Sequence, residues 1–104
     1  MSKVKLTDYV VEFLQKKGIH DFFGYQGTMI AHLVDSIEKN PHVRSHSSYH
    51  EQGAAFAACG YAQAKNACGC AYATSGPGAA NLLSGVADAY FDSLPVIFIT
   101  GQLN

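Results

Sequence analysis

The sequence carries little charge for a chain of its size. Only 14% of its residues are Asp, Glu, Lys or Arg, whereas an average globular domain has about 25%. The formal net charge is -1 and the seven basic residues are scattered, so the chain lacks the basic patch that nucleic acids or anionic lipids require. With 48% hydrophobic residues, such a small domain is expected to bury part of its surface against another chain or domain.

Neither a secretory signal nor a membrane span is predicted. Asp8 and Glu12 interrupt any apolar segment near the start, and no apolar run approaches the roughly 20 residues that a spanning helix needs. Cys59, Cys68 and Cys70 are an odd number of cysteines without a secretory signal, which argues against a disulfide framework. No Cys or His pair at finger spacing completes a zinc site. The sequence therefore predicts a cytoplasmic protein with reduced thiols.

Strand and helix patterns alternate along the chain, which at 104 residues has the length of one domain. Apolar runs predict strands at residues 19–25, 68–74 and 95–100, and a polar strand is expected at 43–47. One helix is predicted before the first strand, and one in each of the three connections between successive strands. We therefore expect an open, mostly parallel α/β sheet with helices on both faces and sites at the carboxyl ends of its strands. The turns at Gln26, Ser75 and Gly101 all follow strands and should share that edge.

Glu51 stands at the start of the helix predicted for residues 50–65 and should join these turns. Ser48 and Glu51 have the spacing of a capping box, in which each side chain binds a free backbone N–H at the helix start. The other interpretation depends on three later blocks in the chain. They are Thr-Ser-Gly-Pro-Gly-Ala-Ala-Asn at 74–81, Asp-Ser-Leu-Pro at 92–95 and Thr-Gly-Gln at 100–102.

A dinucleotide cradle is an alternative for the glycines at 76 and 78, because a glycine-rich turn before a helix can bind phosphate. The pattern fails at two positions. Asn81 replaces the third glycine, and the following strand ends in Gly101-Gln102 rather than in an acid that could hold a ribose. A serine nucleophile at Ser75 is disfavoured as well, because the Gly-x-Ser-x-Gly elbow is absent.

Taken together and in this order, the blocks around residues 51, 76, 93 and 101 resemble the pyrimidine-binding domain of thiamine diphosphate-dependent enzymes. The most similar group is the acetolactate synthase-like one, and the resemblance runs from about Leu6 to the last residue. It implies that residues 1–104 are the N-terminal part of such a domain within a longer enzyme. The central domain and the diphosphate-binding domain, which holds the cofactor's Mg²⁺ through a Gly-Asp-Gly motif, are not in this sequence.

The resemblance also implies roles for individual residues. Glu51 would be the carboxylic acid that hydrogen-bonds N1′ of the cofactor's aminopyrimidine and relays a proton to it. Gln102 would lie near the substrate. The residues implied beside the aminopyrimidine are Tyr25, Gln26, Gly27, Thr74, Pro77 and Gly78. The acetolactate-like group commonly has Tyr-Pro-Gly-Gly where this chain has Tyr-Gln-Gly-Thr at 25–28, and Arg-His-Glu where it has Tyr-His-Glu at 49–51.

The implied activity of the parent enzyme is decarboxylation of a 2-keto acid followed by carboligation, as a thiamine diphosphate-dependent lyase or transferase. A plain 2-keto acid decarboxylase and a non-catalytic dimerisation or interaction domain are the alternatives. The 104 residues alone are expected to bind the cofactor weakly and to be inactive. A homo-oligomer, either a dimer or a tetramer, is also expected. The Ala- and Gly-rich helix at 50–65 fits either tight packing on its own sheet or a helix shared across a dimer interface.

Overall fold

A four-stranded parallel sheet with helices on both faces forms the protein, in a computed structural model that describes residues 2–103. This arrangement confirms the α/β class predicted from the sequence. The helices are α1 (Leu6–Lys16), α2 (Ala31–Lys39), α3 (Glu51–Lys65), α4 (Pro77–Asn81) and α5 (Leu83–Phe91), with a 3₁₀ turn at Thr28–Ile30. The strands are β1 (Asp21–Gly24), β2 (Arg44–Ser47), β3 (Gly69–Ala73) and β4 (Val96–Thr100).

The strand order is β2-β1-β3-β4, and every neighbouring pair is parallel. After β1 the chain forms β2 at one edge of the sheet. It then returns to form β3 on the other side of β1, and β4 follows at the opposite edge. Strand order therefore reverses between β1 and β3, and ligands of open α/β sheets bind outside the carboxyl ends of the strands at such a point. The turns that follow β1 and β3 consequently lie next to each other.

The two faces of the sheet are covered by different kinds of side chains. On one face, α1 and α2 pack large side chains against the sheet: Val11, Leu14, Ile30, Leu33 and Ile37 meet Phe22, Cys70 and Tyr72. On the other face, Ala55 and Ala58 of α3 and Leu82, which lies between α4 and α5, meet Ala71 and Ala73. Alternate residues of β3 supply the two faces, as the two-residue period of a strand requires.

Helix α1 is present as predicted, and it packs inward with part of the predicted set. The helical spacing of Leu6, Tyr9, Val10, Phe13 and Leu14 predicts the buried stripe. Leu14 is buried and Val10 packs against the core, but Leu6, Tyr9 and Phe13 are 75%, 58% and 49% exposed. Val11 and Leu14 are the buried residues of α1. Two overlapping stripes in this helix have helical spacing, and only the packing against α2 and the sheet decides between them.

The helix predicted after the glycines at 76 and 78 is divided in two. Helix α4 ends at Asn81 and α5 begins at Leu83, while Leu82 between them is 1% exposed and belongs to the core. The sequence pattern predicts Leu82, Leu83, Val86 and Tyr90 as the apolar face of this helix; Leu82 is buried as predicted, whereas the other three are exposed and α5 buries Gly85 and Ala89. Tertiary packing of Leu82 therefore overrides a locally continuous helical pattern.

Within residues 2–103, no helix combines the length and apolar character that crossing a bilayer would need.

Candidate functional site

The turns after β1, β3 and β4 meet at the carboxyl edge of the sheet, as the strand pattern predicted. The backbone N–H of Met29 donates a hydrogen bond to Oγ1 of Thr74 at 3.2 Å. A Cβ atom at Gly27 would lie 2.6 Å from Cβ of Thr74, and one at Gly101 would lie 2.6 Å from the carbonyl oxygen of Met29. Only glycine can be accommodated at such close contacts. The three turns can therefore approach one another because Gly27 and Gly101 have no side chains.

Glu51 joins these turns from the start of α3. The helix is capped by His50, whose Nδ1 accepts the backbone N–H of Gln52 at 3.1 Å. The capping-box hypothesis for Ser48 and Glu51 is therefore wrong: the Glu51 carboxyl group reaches another part of the chain. Its Oε2 accepts a hydrogen bond from Nδ2 of Asn81 at 3.1 Å, and the residue is half-buried.

The turn between β3 and α4 brings the backbone close to this carboxyl group. Gly76 has a φ of +66°, a left-handed conformation that favours glycine. Pro77 is the first residue of α4, where its missing N–H costs nothing. Gly78 is buried, and a Cβ atom there would lie 2.8 Å from Cγ2 of Thr74 and 3.4 Å from Oε1 of Glu51. Gly78 thus lies next to both Thr74 and Glu51.

The remaining predicted residues lie at the rim of this group. Tyr25 is 39% exposed, and Gln26, Pro77 and Gln102 are exposed as well. Within residues 2–103 none of these side chains bonds to Glu51. The structure thus brings Gly27, Thr74, Gly78 and Glu51 together and leaves Tyr25, Gln26, Pro77 and Gln102 more open to solvent. The roles that the resemblance implies for all eight residues stay predictions.

Sequence reasoning missed Asn81 as a residue of this site. Asn81 ends the block at 74–81 and counts against a dinucleotide cradle, but no sequence pattern assigned it a contact with Glu51. The signal that could have identified it is the spacing Gly-x-x-Asn at 78–81, because residues three apart lie on the same side of a helix. Asn81 therefore faces the Glu51 carboxyl group, as Gly78 does.

A second polar cluster lies at the opposite end of the sheet, at the first residue of β1. Asp21 is buried and accepts a hydrogen bond from Nε2 of His46 at 2.7 Å, and Nε of Arg44 lies 3.2 Å from the same oxygen. Burial raises the pKa of Asp21, but hydrogen bonds from His46 and Tyr61 and the charge of Arg44 outweigh burial, so the pKa of Asp21 lies below its ordinary value. This cluster stabilises the junction of β1, β2 and α3 and is separate from Glu51.

The cysteines and the acidic residues give no sign of a metal centre. Within residues 2–103, no group of three or more His, Cys, Asp or Glu side chains is arranged to hold a metal ion. The three cysteines are free, and burial raises the pKa of the Cys70 thiol to about 12, so this thiol stays protonated at neutral pH.

Comparison with known proteins gives matches along almost the whole chain. The family profile described as "Thiamine pyrophosphate enzyme, N-terminal TPP binding domain" matches residues 4–104. The chain is 46% identical over 102 residues to the probable acetolactate synthase 2, chloroplastic, of Oryza sativa subsp. japonica, a match that covers 98% of this chain and 15% of the relative. It is 44% identical to the acetolactate synthase 1, chloroplastic, of Zea mays and 42% identical to the acetolactate synthase, chloroplastic, of Arabidopsis thaliana. These two matches cover 95% of this chain and 16% and 15% of those proteins, respectively. The chain therefore spans about 15% of the length of the curated relatives it matches.

Proposed function

Because this chain belongs to the thiamine pyrophosphate enzyme family, as its N-terminal TPP binding domain, we propose that it supplies the aminopyrimidine side of a thiamine diphosphate site. The whole enzyme would decarboxylate a 2-keto acid and join the product to a second carbonyl compound, as acetolactate synthases do. The names of the relatives support this reaction over simple decarboxylation. The observation that carries the proposal is a half-buried carboxyl group, at Glu51, beside turns that have no side chains at Gly27 and Gly78.

The residues present fit the pyrimidine end of this cofactor. Gly27 and Gly78 both lie against Thr74, where an added Cβ would collide with the Thr74 side chain, so the two turns can stand close together beside the Glu51 carboxyl group. A ring nitrogen also needs a partner that can both donate and accept a hydrogen bond, and a carboxyl group does so as it gains and loses a proton. Glu51 lies beside these turns, which supports this role for it.

Bound thiamine diphosphate would supply the electron sink for breaking the carbon–carbon bond. The chain's own residues would then divide the remaining tasks. Glu51 would hold and exchange a proton at the ring nitrogen, the turns at Gly27 and Gly78 would lie beside the ring, and Tyr25 and Gln26 would flank it at the rim. Gln102, one residue beyond Gly101, would contact the 2-keto acid.

The diphosphate and its Mg²⁺ would be held by a further domain, because the resemblance assigns them to a Gly-Asp-Gly motif. On its own the 104-residue chain is proposed to bind thiamine diphosphate weakly and to be inactive. The cytoplasmic location also stays a prediction, and the relatives are chloroplastic by name.

A homo-oligomer is proposed to assemble through the outer side of α3. The alanines of this helix, including Ala54, Ala55 and Ala58, are buried, which supports the intrachain packing interpretation for them. Gly53 and Gly60 instead face open space, and Phe56 on the same side of the helix is 44% exposed. Intrachain packing gives no reason for small residues there, whereas a neighbouring subunit would.

A binding experiment tests the proposed function. Thiamine diphosphate is titrated into the 104-residue chain by calorimetry and by ¹H–¹⁵N NMR, with Glu51→Gln as the variant. We expect weak binding that shifts the amide resonances of Gly27, Thr74 and Gly78, and a loss of about tenfold in affinity, or about 1.4 kcal/mol, in Glu51→Gln. Glu12→Gln, an exposed substitution on α1, should bind like the wild type.

Two results would contradict the proposal. Absence of binding, or equal binding by the wild type and Glu51→Gln, would remove the cofactor role of this site and favour the non-catalytic interaction domain. Measurable turnover of a 2-keto acid such as pyruvate by the chain alone would refute its predicted inactivity.

A further inference from the structure

The Glu51 carboxyl group has a hydrogen-bond donor on one of its two oxygens. Nδ2 of Asn81 lies 3.1 Å from Oε2, whereas Oε1 lies beside the turn, 3.4 Å from the position that a Cβ of Gly78 would occupy. No hydrogen bond to Oε1 is made by the residues in the range 2–103. The two oxygens therefore differ in what they can do.

The position of Asn81 follows from the length of α4. This helix has only five residues, Pro77–Asn81, and Asn81 is the last of them. Gly78 precedes it by three residues and shares its side of the helix. One helical turn thus brings the backbone of Gly78, which has no side chain, and the amide group of Asn81 to the Glu51 carboxyl group.

An amide nitrogen donates hydrogen bonds and cannot accept them. While Nδ2 of Asn81 donates to Oε2, a proton on Oε2 would compete with that hydrogen bond, and a proton on Oε1 would not. The hydrogen bond can therefore persist whether Glu51 is ionised or neutral, provided that the proton is carried by Oε1.

We propose that Asn81 is a positioning residue that reserves Oε2 of Glu51, so that Oε1 is the atom that carries and exchanges the proton. This inference rests on the proposed function, because the acceptor of that proton is the aminopyrimidine nitrogen. The proton passes between Oε1 and the ring nitrogen, and the Asn81 hydrogen bond keeps the carboxyl group in one orientation throughout.

Two substitutions of Asn81 separate this role from simple packing. Asn81→Asp keeps the shape of the side chain but replaces the donor with a second carboxylate facing Glu51. Asn81→Leu keeps most of the volume and removes the donor without adding charge. Gln52→Ala is the matched control, because it breaks the neighbouring hydrogen bond from Nε2 of Gln52 to Oγ of Ser84 at 3.1 Å. That bond joins the same part of the fold without touching the Glu51 carboxyl group.

The first measurement needs no cofactor. In ¹H–¹⁵N spectra of the 104-residue chain, one Nδ2 proton of Asn81 should resonate downfield because it is hydrogen-bonded to Oε2 of Glu51. It should move upfield in Glu51→Gln and stay in place in Gln52→Ala. An Asn81 amide resonance that does not respond to Glu51→Gln would overturn the proposal.

The second measurement is the affinity for thiamine diphosphate. Asn81→Asp and Asn81→Leu should each bind about tenfold more weakly than the wild type, with the larger loss in Asn81→Asp, while Gln52→Ala should bind unchanged. Wild-type affinity in Asn81→Asp would show that Asn81 only fills space and would overturn the proposal. If the wild type fails to bind, the proposed function is wrong, and the amide resonance still decides whether Asn81 orients Glu51.

Discussion

The two faces of the sheet are built from side chains of very different size, although the same strands supply both. The face under α1 and α2 buries Phe22, Ile37 and Tyr72, whereas the face under α3 is lined mainly by alanines. Burying one large apolar side chain stabilises a fold by about 1.5–3 kcal/mol. An alanine buries much less surface, but it lets the backbone of α3 lie close to β3 and to α5. One face therefore supplies most of the stability, and the other brings Glu51 to the turn before α4.

The largest effect should come from emptying the large-residue face. Phe22→Ala is expected to lower the free energy of unfolding by about 3–5 kcal/mol, because Phe22 is fully buried and its removal leaves a cavity. Urea denaturation followed by circular dichroism measures this loss. Phe91→Ala is the control: Phe91 is 80% exposed, and its removal should change stability by less than about 0.5 kcal/mol. Similar losses in both variants would contradict the difference drawn between buried and exposed aromatic residues.

A single methyl group should be enough to disturb the alanine face. A Cβ at Gly85 would collide with Cβ of Ala55 and come within 3.1 Å of the Ala55 carbonyl carbon. Gly85→Ala should therefore cost about 1–3 kcal/mol of stability through overpacking of α3 against α5. Gly60→Ala makes the same change on the outer side of α3, where no atom of this chain lies within 4 Å, and at concentrations where the chain is monomeric it should stabilise the fold by about 0.4–1 kcal/mol. Opposite signs in thermal or urea denaturation are expected; equal signs would show that the helices are not packed this closely.

The smallest effect concerns the charged edge of the alanine face, where Asp21 contacts β2 and α3. The pKa of Asp21 is lower in the folded chain than its ordinary value of about 3.9. The contribution of Asp21 to the free energy of unfolding is therefore complete at pH values above its ordinary pKa. The contribution is lost as the pH falls through the folded-state pKa. At neutral pH, Asp21→Asn should lower the free energy of unfolding by about 1.5 kcal/mol, because hydrogen bonds to a charged carboxylate are replaced by hydrogen bonds to a neutral amide. Urea denaturation at falling pH measures this dependence. Asp21→Asn should lose less stability than the wild type on acidification, and an unchanged acid sensitivity would contradict it.

Much of this arrangement could be predicted from the sequence, because alternation of strand and helix patterns is a local signal. The α/β class and the meeting of the turns near Gly27, Thr74 and Gly101 are confirmed. The inward face of α1 could be predicted only in part, since Leu6, Tyr9 and Phe13 have the same helical spacing as Val10 and Leu14, which do pack inward.

Two details of the candidate site depended on contacts that no local pattern records. The division between α4 and α5 falls at Leu82, which packs against Ala55 and Ala58 of α3, a contact between distant parts of the chain. The partner of Glu51 was missed because Ser48 offered a local alternative in the sequence, whereas Asn81 lies thirty residues away. Long-range hydrogen bonds of this kind are decided by the fold and not by the neighbouring residues.

Strand β3 runs between β1 and β4, and each of its five residues is buried. Its backbone amides are therefore shielded from solvent on both faces and along both sides. In deuterated water they should be the slowest of the chain to exchange, and they should do so only when the entire molecule opens. The exchange rate of this one strand would thus report global unfolding without any denaturant, which offers a direct measure for variants too unstable to titrate.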